Sequence, residues 1–272
     1  MSFKNSKIKE SLNDDGFIYL KSCIDINLIY KIKLSFVKTL SQFSNSQIED
    51  SYSIEEIDTI FETLFAEITN KSLSLRENIF KIFSQNMAIL NLQSQKKISN
   101  AIFDSGVTIP TLSAFGVIAM EPNRDRFLFH PHQDLHKHYS YRTLNLWVPL
   151  TTGENIGGMA IAKGQHKLGP MKHSVAIDGQ LELKENQYDR SNVAMLEDVP
   201  VGDAILFDTQ AVHWSILNKS NVTRWTAYIS ISSGSDLPHL ANQLMSFNPE
   251  NFIDTRSNEE RIKEAVSKKS NQ

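Results

Sequence analysis

One cysteine, Cys23, among 272 residues has no partner for an intrachain disulfide, so the fold cannot depend on an oxidising compartment and Cys23 reads as a small core residue. Long apolar runs are missing as well. The richest stretch, Ala114 to Met120, falls far short of the ~18 residues that span a bilayer, and the N-terminal MSFKNSKIKESLNDD has lysines but no apolar leader segment. Charge of one sign is equally scarce: a net charge of −3, with no basic cluster beyond the SKK around Lys268, offers little to nucleic acid or a membrane surface. No internal repeat or low-complexity linker interrupts the chain. The expectation is a cytoplasmic protein acting on a small molecule, with its oligomeric state left open.

What is present divides by period. With 40% apolar and 22% charged residues the chain can bury a sizeable core. Through the first hundred residues apolar positions recur every three and four. Leu28, Ile29, Ile32, Phe36 and Leu40 predict one helix. Ser53 and Glu56 form a capping-box pattern ahead of a second, whose stripe is Ile54, Ile57, Phe61, Leu64 and Ile68 and whose Glu55, Asp58, Glu62 and Glu67 read as solvated. A third is expected over roughly 75–92 with Ile79, Phe83, Met87 and Leu90 inward, and a short fourth after Ser94. From about Thr111 the period becomes two. Runs at 113–120, 143–150, 159–162, 193–196, 204–207, 212–217 and 224–232, separated by turn signals such as Pro122-Asn123 and Asp178-Gly179, predict seven or eight short strands. That layout points to an α+β fold built as a single domain over 1–272. Its core is a double-stranded β-helix (jelly-roll, cupin-like) barrel over 106–235, with mainly helical residues 1–105 packed on one face. A C-terminal helical segment is expected over 236–272, with Ser257 and Glu260 as its capping box.

The chemistry concentrates in FHPHQDLHKHY, residues 129–139, which holds four of the eight histidines. His132 and Asp134 are two apart. On an extended strand both side chains leave the same face, where an imidazole nitrogen and a carboxylate oxygen can converge on one metal ion. GDAILFDTQAVH, from Gly202, reads as a turn, a strand and a second turn that deliver His213 at the start of another strand. Two histidines and a carboxylate on one face of a metal make the facial triad of non-haem iron(II) oxygenases. His130, His132, Asp134, His136 and His138 would all share a face on an ideal strand, so a zinc site using His130 and His132, or a non-catalytic jelly-roll that binds a small molecule, stays open. Zinc would leave the residues after His213 unexplained. In TRWTAYISIS, Arg224, Thr226, Tyr228 and Ser230 alternate with Trp225, Ala227, Ile229 and Ile231. A polar face turned inward would aim a guanidinium fork at a dicarboxylate.

This order of features (His-Gln-Asp, a Trp-bearing strand, a Gly-Gln-His-Lys turn, then His and Arg) resembles the phytanoyl-CoA dioxygenase family of iron(II) and 2-oxoglutarate dependent oxygenases. The resemblance begins at Asp15-Gly16-Phe17, where the family has a segment leading into a first strand and helix. It continues through HQD at 132–134, NLWVPL at 145–150, AKGQHKLG at 162–169 and the block from Gly202 to Tyr228, covering most of the chain. It implies that His132, Asp134 and His213 are the iron ligands and that Arg224 and Ser215 hold the distal carboxylate of 2-oxoglutarate. Gln133 and Trp147 touch the co-substrate in some relatives, and Thr226, on the polar face with Arg224, is placed with them. The implied reaction uses Fe(II), 2-oxoglutarate and O2, gives succinate and CO2, and hydroxylates a C–H bond of a small organic molecule, with desaturation as a variant. Asp134 argues against halogenation, because related halogenases lack that carboxylate. Gln165 replaces the family's more frequent serine in a turn expected at the pocket rim, a change bearing on substrate choice. Arg126, Arg142, Lys172 and His173 could bind an anionic group of the substrate, and Tyr139 and Tyr141 could line the entrance.

Overall fold

The computed structural model describes residues 3–44, 49, 52–69, 73–124, 128–134 and 143–236. The expected C-terminal helix with Ser257 and Glu260, and also Lys268, Arg126, His136, His138, Tyr139, Tyr141 and Arg142, lie outside them. The N-terminal part holds helices α1 (Phe3–Asp14), α2 (Ile26–Ser44), α3 (Ile54–Thr69), α4 (Leu73–Ser84) and α5 (Lys96–Asp104), with strand β1 (Phe17–Leu20) after the first. At the start of α3 the capping box is in place: the Ser53 N–H donates to Glu56 Oε2 at 2.6 Å and the Glu56 N–H to Ser53 Oγ at 3.2 Å. No helix among the described residues is long and apolar enough to cross a membrane.

Two helical expectations need correction. The third helix does not run unbroken to Leu92: α4 stops at Ser84 and a separate 3-10 turn spans Met87–Leu92. Asn86 makes the break, taking an extended backbone, accepting the Ala88 N–H and donating its amide to Ser35 Oγ at 2.6 Å. The phase of the stripe is lost there, so Met87 is 67% exposed instead of inward. Glu62, expected in solvent, reaches β10 (Arg224–Ser233), where it accepts from the Thr223 N–H and from the Trp225 indole N–H, both at 3.3 Å. Burial holds its carboxyl above the usual range. An acidic face read from period alone cannot anticipate a strand packed across it.

The remaining strands are β2 (Pro110–Met120), β3 (Thr143–Pro149), β4 (Gly158–Ala162), β5 (Ser174–Val175), β6 (Leu181–Glu182), β7 (Val193–Glu197), β8 (Ala204–Asp208) and β9 (His213–Ile216). They form a five-stranded sheet in the order β1-β8-β3-β10-β2, a three-stranded sheet β7-β4-β9 and a small β5-β6 hairpin, antiparallel throughout. β1, β5 and β6 are too short to carry a readable period. In the large sheet, strand parity sorts the side chains. Leu144, Leu146, Val148, Leu206, Trp225, Ala227, Ile229 and Ile231 join one core with the helices. Trp225 sits at its centre, with Phe61 and Phe65 at 4.7 Å and Phe83 at 5.6 Å between ring centroids. The opposite face sends Trp147, Ile205 and Phe207 into a second core with Met159 and Ile161 of β4. The polar residues of β10 face that inner space.

Candidate functional site

The two histidines come from segments that pair through their backbones. His132 and His213 bridge in antiparallel sense with an N–H···O bond of 3.0 Å in each direction. Ser215 adds an N–H bond to the Phe129 carbonyl at 3.0 Å and accepts the Phe129 N–H on its hydroxyl at 3.2 Å. The two imidazole rings therefore lie 4.3 Å apart. Asp134 comes between them, one carboxylate oxygen 3.5 Å from His132 Nε2 and the other 3.6 Å from His213 Nε2. One ligand atom from each of the three lies within 4.8 Å of the others. Two ligands at right angles on bonds of ~2.1 Å would stand ~3 Å apart, so the group is close to a ready-made cradle.

Each ring is also oriented for the task. His132 Nδ1 meets the His130 carbonyl at 2.6 Å and His213 Nδ1 meets the Ala211 carbonyl at 3.0 Å. A carbonyl only accepts, so Nδ1 carries a proton in both rings and Nε2, the atom that faces Asp134, is the one left to ligate a metal. His130 is not part of this group. Its ring is turned to Asp178 at 3.0 Å on the surface, which removes the zinc arrangement built on His130 and His132.

A cavity of about 200 Å³ opens on the triad. Ser215, Trp147, Thr226 and Arg224 line it, together with Tyr228 and an apolar wall that includes Ile118, Met120, Met159 and Phe207. Arg224 is 3% exposed. Its Nη1 donates to the carbonyls of Ile156 and Ile216 at 3.2 and 3.0 Å, while its Nε is buried with no partner. Burial lowers the guanidinium pKa to about 10, which still leaves it charged at neutral pH. Gly157 makes room for it: the backbone there is left-handed at φ +73, and a Cβ would stand 2.8 Å from Nη1. Tyr228 is held above its ordinary pKa by burial and by the Asp134 charge.

Gln133 goes elsewhere. It is wholly buried, donating to the Gly169 and Gln210 carbonyls at 3.0 and 2.7 Å and accepting the Met171 N–H at 2.8 Å, and it does not line the cavity. Alternation explains this, since Gln133 lies between two residues that face the site. Its backbone N–H donates to His173 Nε2 at 2.8 Å, which occupies that histidine, and Lys172 is exposed; neither lines the cavity as an anion binder. The Gly164–Gly169 turn is likewise away from the rim. The His166 ring covers Gly16, where a Cβ would come within 2.6 Å of Nδ1, and Gln165 accepts the Asp189 N–H at 3.2 Å. Two motifs read separately, Asp15-Gly16-Phe17 and Gly-Gln-His-Lys, thus pack on each other. Cys23 is buried as expected, its thiol pushed up to about 11. Asn145 was missed: its Nδ2 donates to Asp134 Oδ2 at 2.7 Å. Its signal was a polar residue sharing the strand parity of Trp147.

The family model described as phytanoyl-CoA dioxygenase (PhyH) matches residues 15–226. The chain belongs to that family. As a phytanoyl-CoA dioxygenase family member it is an enzyme of the non-haem iron and 2-oxoglutarate oxygenase superfamily, with iron, 2-oxoglutarate and O2 as its cofactor set. No curated protein matches the sequence. Among solved structures the fold is similar to the apo non-heme monooxygenase ThoJ (TM-score 0.58, 15% identity, 83% of this chain and 77% of that one). It is similar also to EctD from S. alaskensis with 2-oxoglutarate and 5-hydroxyectoine (TM-score 0.55, 15% identity, 86% and 77%). A third is the epimerase SnoN in complex with Fe3+, alpha ketoglutarate and nogalamycin RO (TM-score 0.53, 12% identity, 85% and 84%). At such identities the likeness concerns the fold. The donor set fits the family's cofactors on its own terms: three ligand atoms converge, and a buried guanidinium keeps one N–H unspent in the same cavity.

Proposed function

We propose that this protein is an iron(II)/2-oxoglutarate dioxygenase that hydroxylates a C–H bond of a small organic molecule, in a double-stranded β-helix formed by the two facing sheets. Arg224 carries the reading. A buried cation without a counter-ion costs several kcal/mol, a cost that a dicarboxylate arriving in the cavity would offset. In this reading His132 and His213, through Nε2, and Asp134 hold the iron. Arg224 binds the distal carboxylate of 2-oxoglutarate, joined by the hydroxyls of Ser215 and Thr226, with Trp147 as a wall. Iron and 2-oxoglutarate, once bound with O2, supply an oxidant able to attack an unactivated C–H bond as the keto acid is decarboxylated to succinate and CO2.

The chain's own residues do the rest. His132, Asp134 and His213 would hold the metal between them, and the cavity on which they open would take the co-substrate. The carbonyl contacts at Nδ1 hold both imidazoles with Nε2 aimed at the site. Ile118, Met120, Met159 and Phe207 exclude water and suit an aliphatic or ring carbon. Asp134 fills the position that related halogenases give to a halide, which favours hydroxylation.

Anaerobic addition of Fe(II) and then 2-oxoglutarate should produce the weak visible charge-transfer band of the bidentate complex. Screening small molecules for stimulated succinate formation should then find one that leaves the enzyme one oxygen atom heavier. An isomerised or cyclised product would overturn hydroxylation alone. No band and no succinate would overturn the whole reading.

A further inference from the structure

Asp134 is not the end of its own hydrogen-bond chain. Asn145, on β3, donates Nδ2–H to Asp134 Oδ2 at 2.7 Å, and its Oδ1 accepts the Ser230 hydroxyl at 2.5 Å. Ser230 stands directly opposite Asn145 in the β3–β10 register. Asn145 and Ser230 are only 4% and 2% exposed, so the chain is sheltered from competing water. Direction follows from the chemistry. An ionised carboxylate can only accept, which obliges the amide to present its NH2 to Asp134 and its carbonyl to Ser230. The hydroxyl must then be a donor. Ser230, Asn145 and Asp134 form one polarised sequence of bonds ending on the carboxylate, each strengthening the next. Asn145 also lines the cavity, beside the carboxylate it holds.

Resting on the metal-ligand reading above, we propose that Asn145, oriented by Ser230, is a positioning residue that sets how tightly the triad binds its metal. By bonding Oδ2 it orients the plane of the Asp134 carboxylate, whose Oδ1 stands 3.5 Å from His132 Nε2. Without it the carboxylate loses the 2.7 Å bond that orients Oδ2, and the ligand set is held less firmly for the metal. Outer-shell partners of this kind typically change metal affinity by ~10–100-fold.

The test is titration of the metal-free protein with Co2+ under argon, followed by its visible absorption and by calorimetry, with no turnover required. Asn145→Ala should weaken Co2+ binding by ~10–100-fold, and Ser230→Ala by about 2- to 10-fold, the worth of one hydrogen bond. The double variant should be no weaker than Asn145→Ala, because Ser230 acts only through Asn145. A general loss of packing would instead make the two effects multiply, which overturns the proposal, as would an Asn145→Ala protein that binds Co2+ as well as the parent. Should Asn145→Ala melt too low to titrate, unchanged affinity in Ser230→Ala overturns the relay. A parent protein that binds no Co2+ would overturn the metal reading itself, a distinct result.

Discussion

His132 and His213 each donate a main-chain N–H to the other's carbonyl, at 3.0 Å both ways. Eighty residues of sequence separate them, yet the spacing of their rings is set by a backbone bridge that does not involve the rings at all. The spacing of the cradle is thus a property of main-chain pairing.

His213→Ala should therefore abolish metal binding while sparing the fold. We expect affinity for Co2+ to fall by more than the ~100-fold seen for outer-shell changes, with a melting temperature close to the parent's. A large drop in melting temperature would mean that the ring, and not the bridge, holds the two segments together.

Arg224→Ala separates co-substrate from metal. Loss of the guanidinium should weaken 2-oxoglutarate binding by ~10–100-fold, as for a charge-assisted hydrogen-bonded pair, with Co2+ affinity unchanged. Calorimetry of each ligand in turn checks this; equal loss of both would make Arg224 structural. Gly157→Ala would not make this separation, since its Cβ would stand 2.6 Å from the Ile216 and Leu217 carbonyls as well as 2.8 Å from Nη1 and would strain the main chain.

Gln133→Ala should cost stability first. The change strips two buried carbonyls, Gly169 and Gln210, of their donor and the Met171 N–H of its acceptor. About 3 kcal/mol is expected from such unsatisfied groups, or about 6–12 °C in Tm. Scanning calorimetry of metal-free protein reads it directly. A Tm within a degree of the parent would show that water replaces the amide.

Asp208 gives a pH dependence. Burial raises its pKa to about 6, only partly offset by the Gln210 N–H it accepts at 2.7 Å. Between its ordinary value near 4 and about 6 the folded state binds more proton than the unfolded chain, so this group's contribution falls as pH rises through that window. The loss is on the order of 2 kcal/mol. Comparing urea unfolding of the parent and Asp208→Asn at pH 4 and pH 7, the difference in stability should shift in favour of the variant at the higher pH. A difference independent of pH would place the carboxyl in solvent.

Much of this molecule could be read from local pattern. The capping box at Ser53 and Glu56, the change of period near Thr111 and the alternation from Arg224 to Ile231 each depend on near neighbours in the chain, and each appears as read. The same holds for His132 and Asp134, whose spacing of two is a local geometric statement. What failed was whatever depended on a distant partner. Glu62 left the solvent because β10 crosses α3; Asn86 broke a helix because Ser35 lay within reach; Gln133 turned from the site because two loops needed its amide. Asn145 was invisible as a partner of Asp134 until the sheet brought them to 2.7 Å. Periodicity reports which face of an element is apolar, but only the packed chain determines which polar atoms meet on the other face, because a hydrogen bond depends on distances that no one-dimensional order contains.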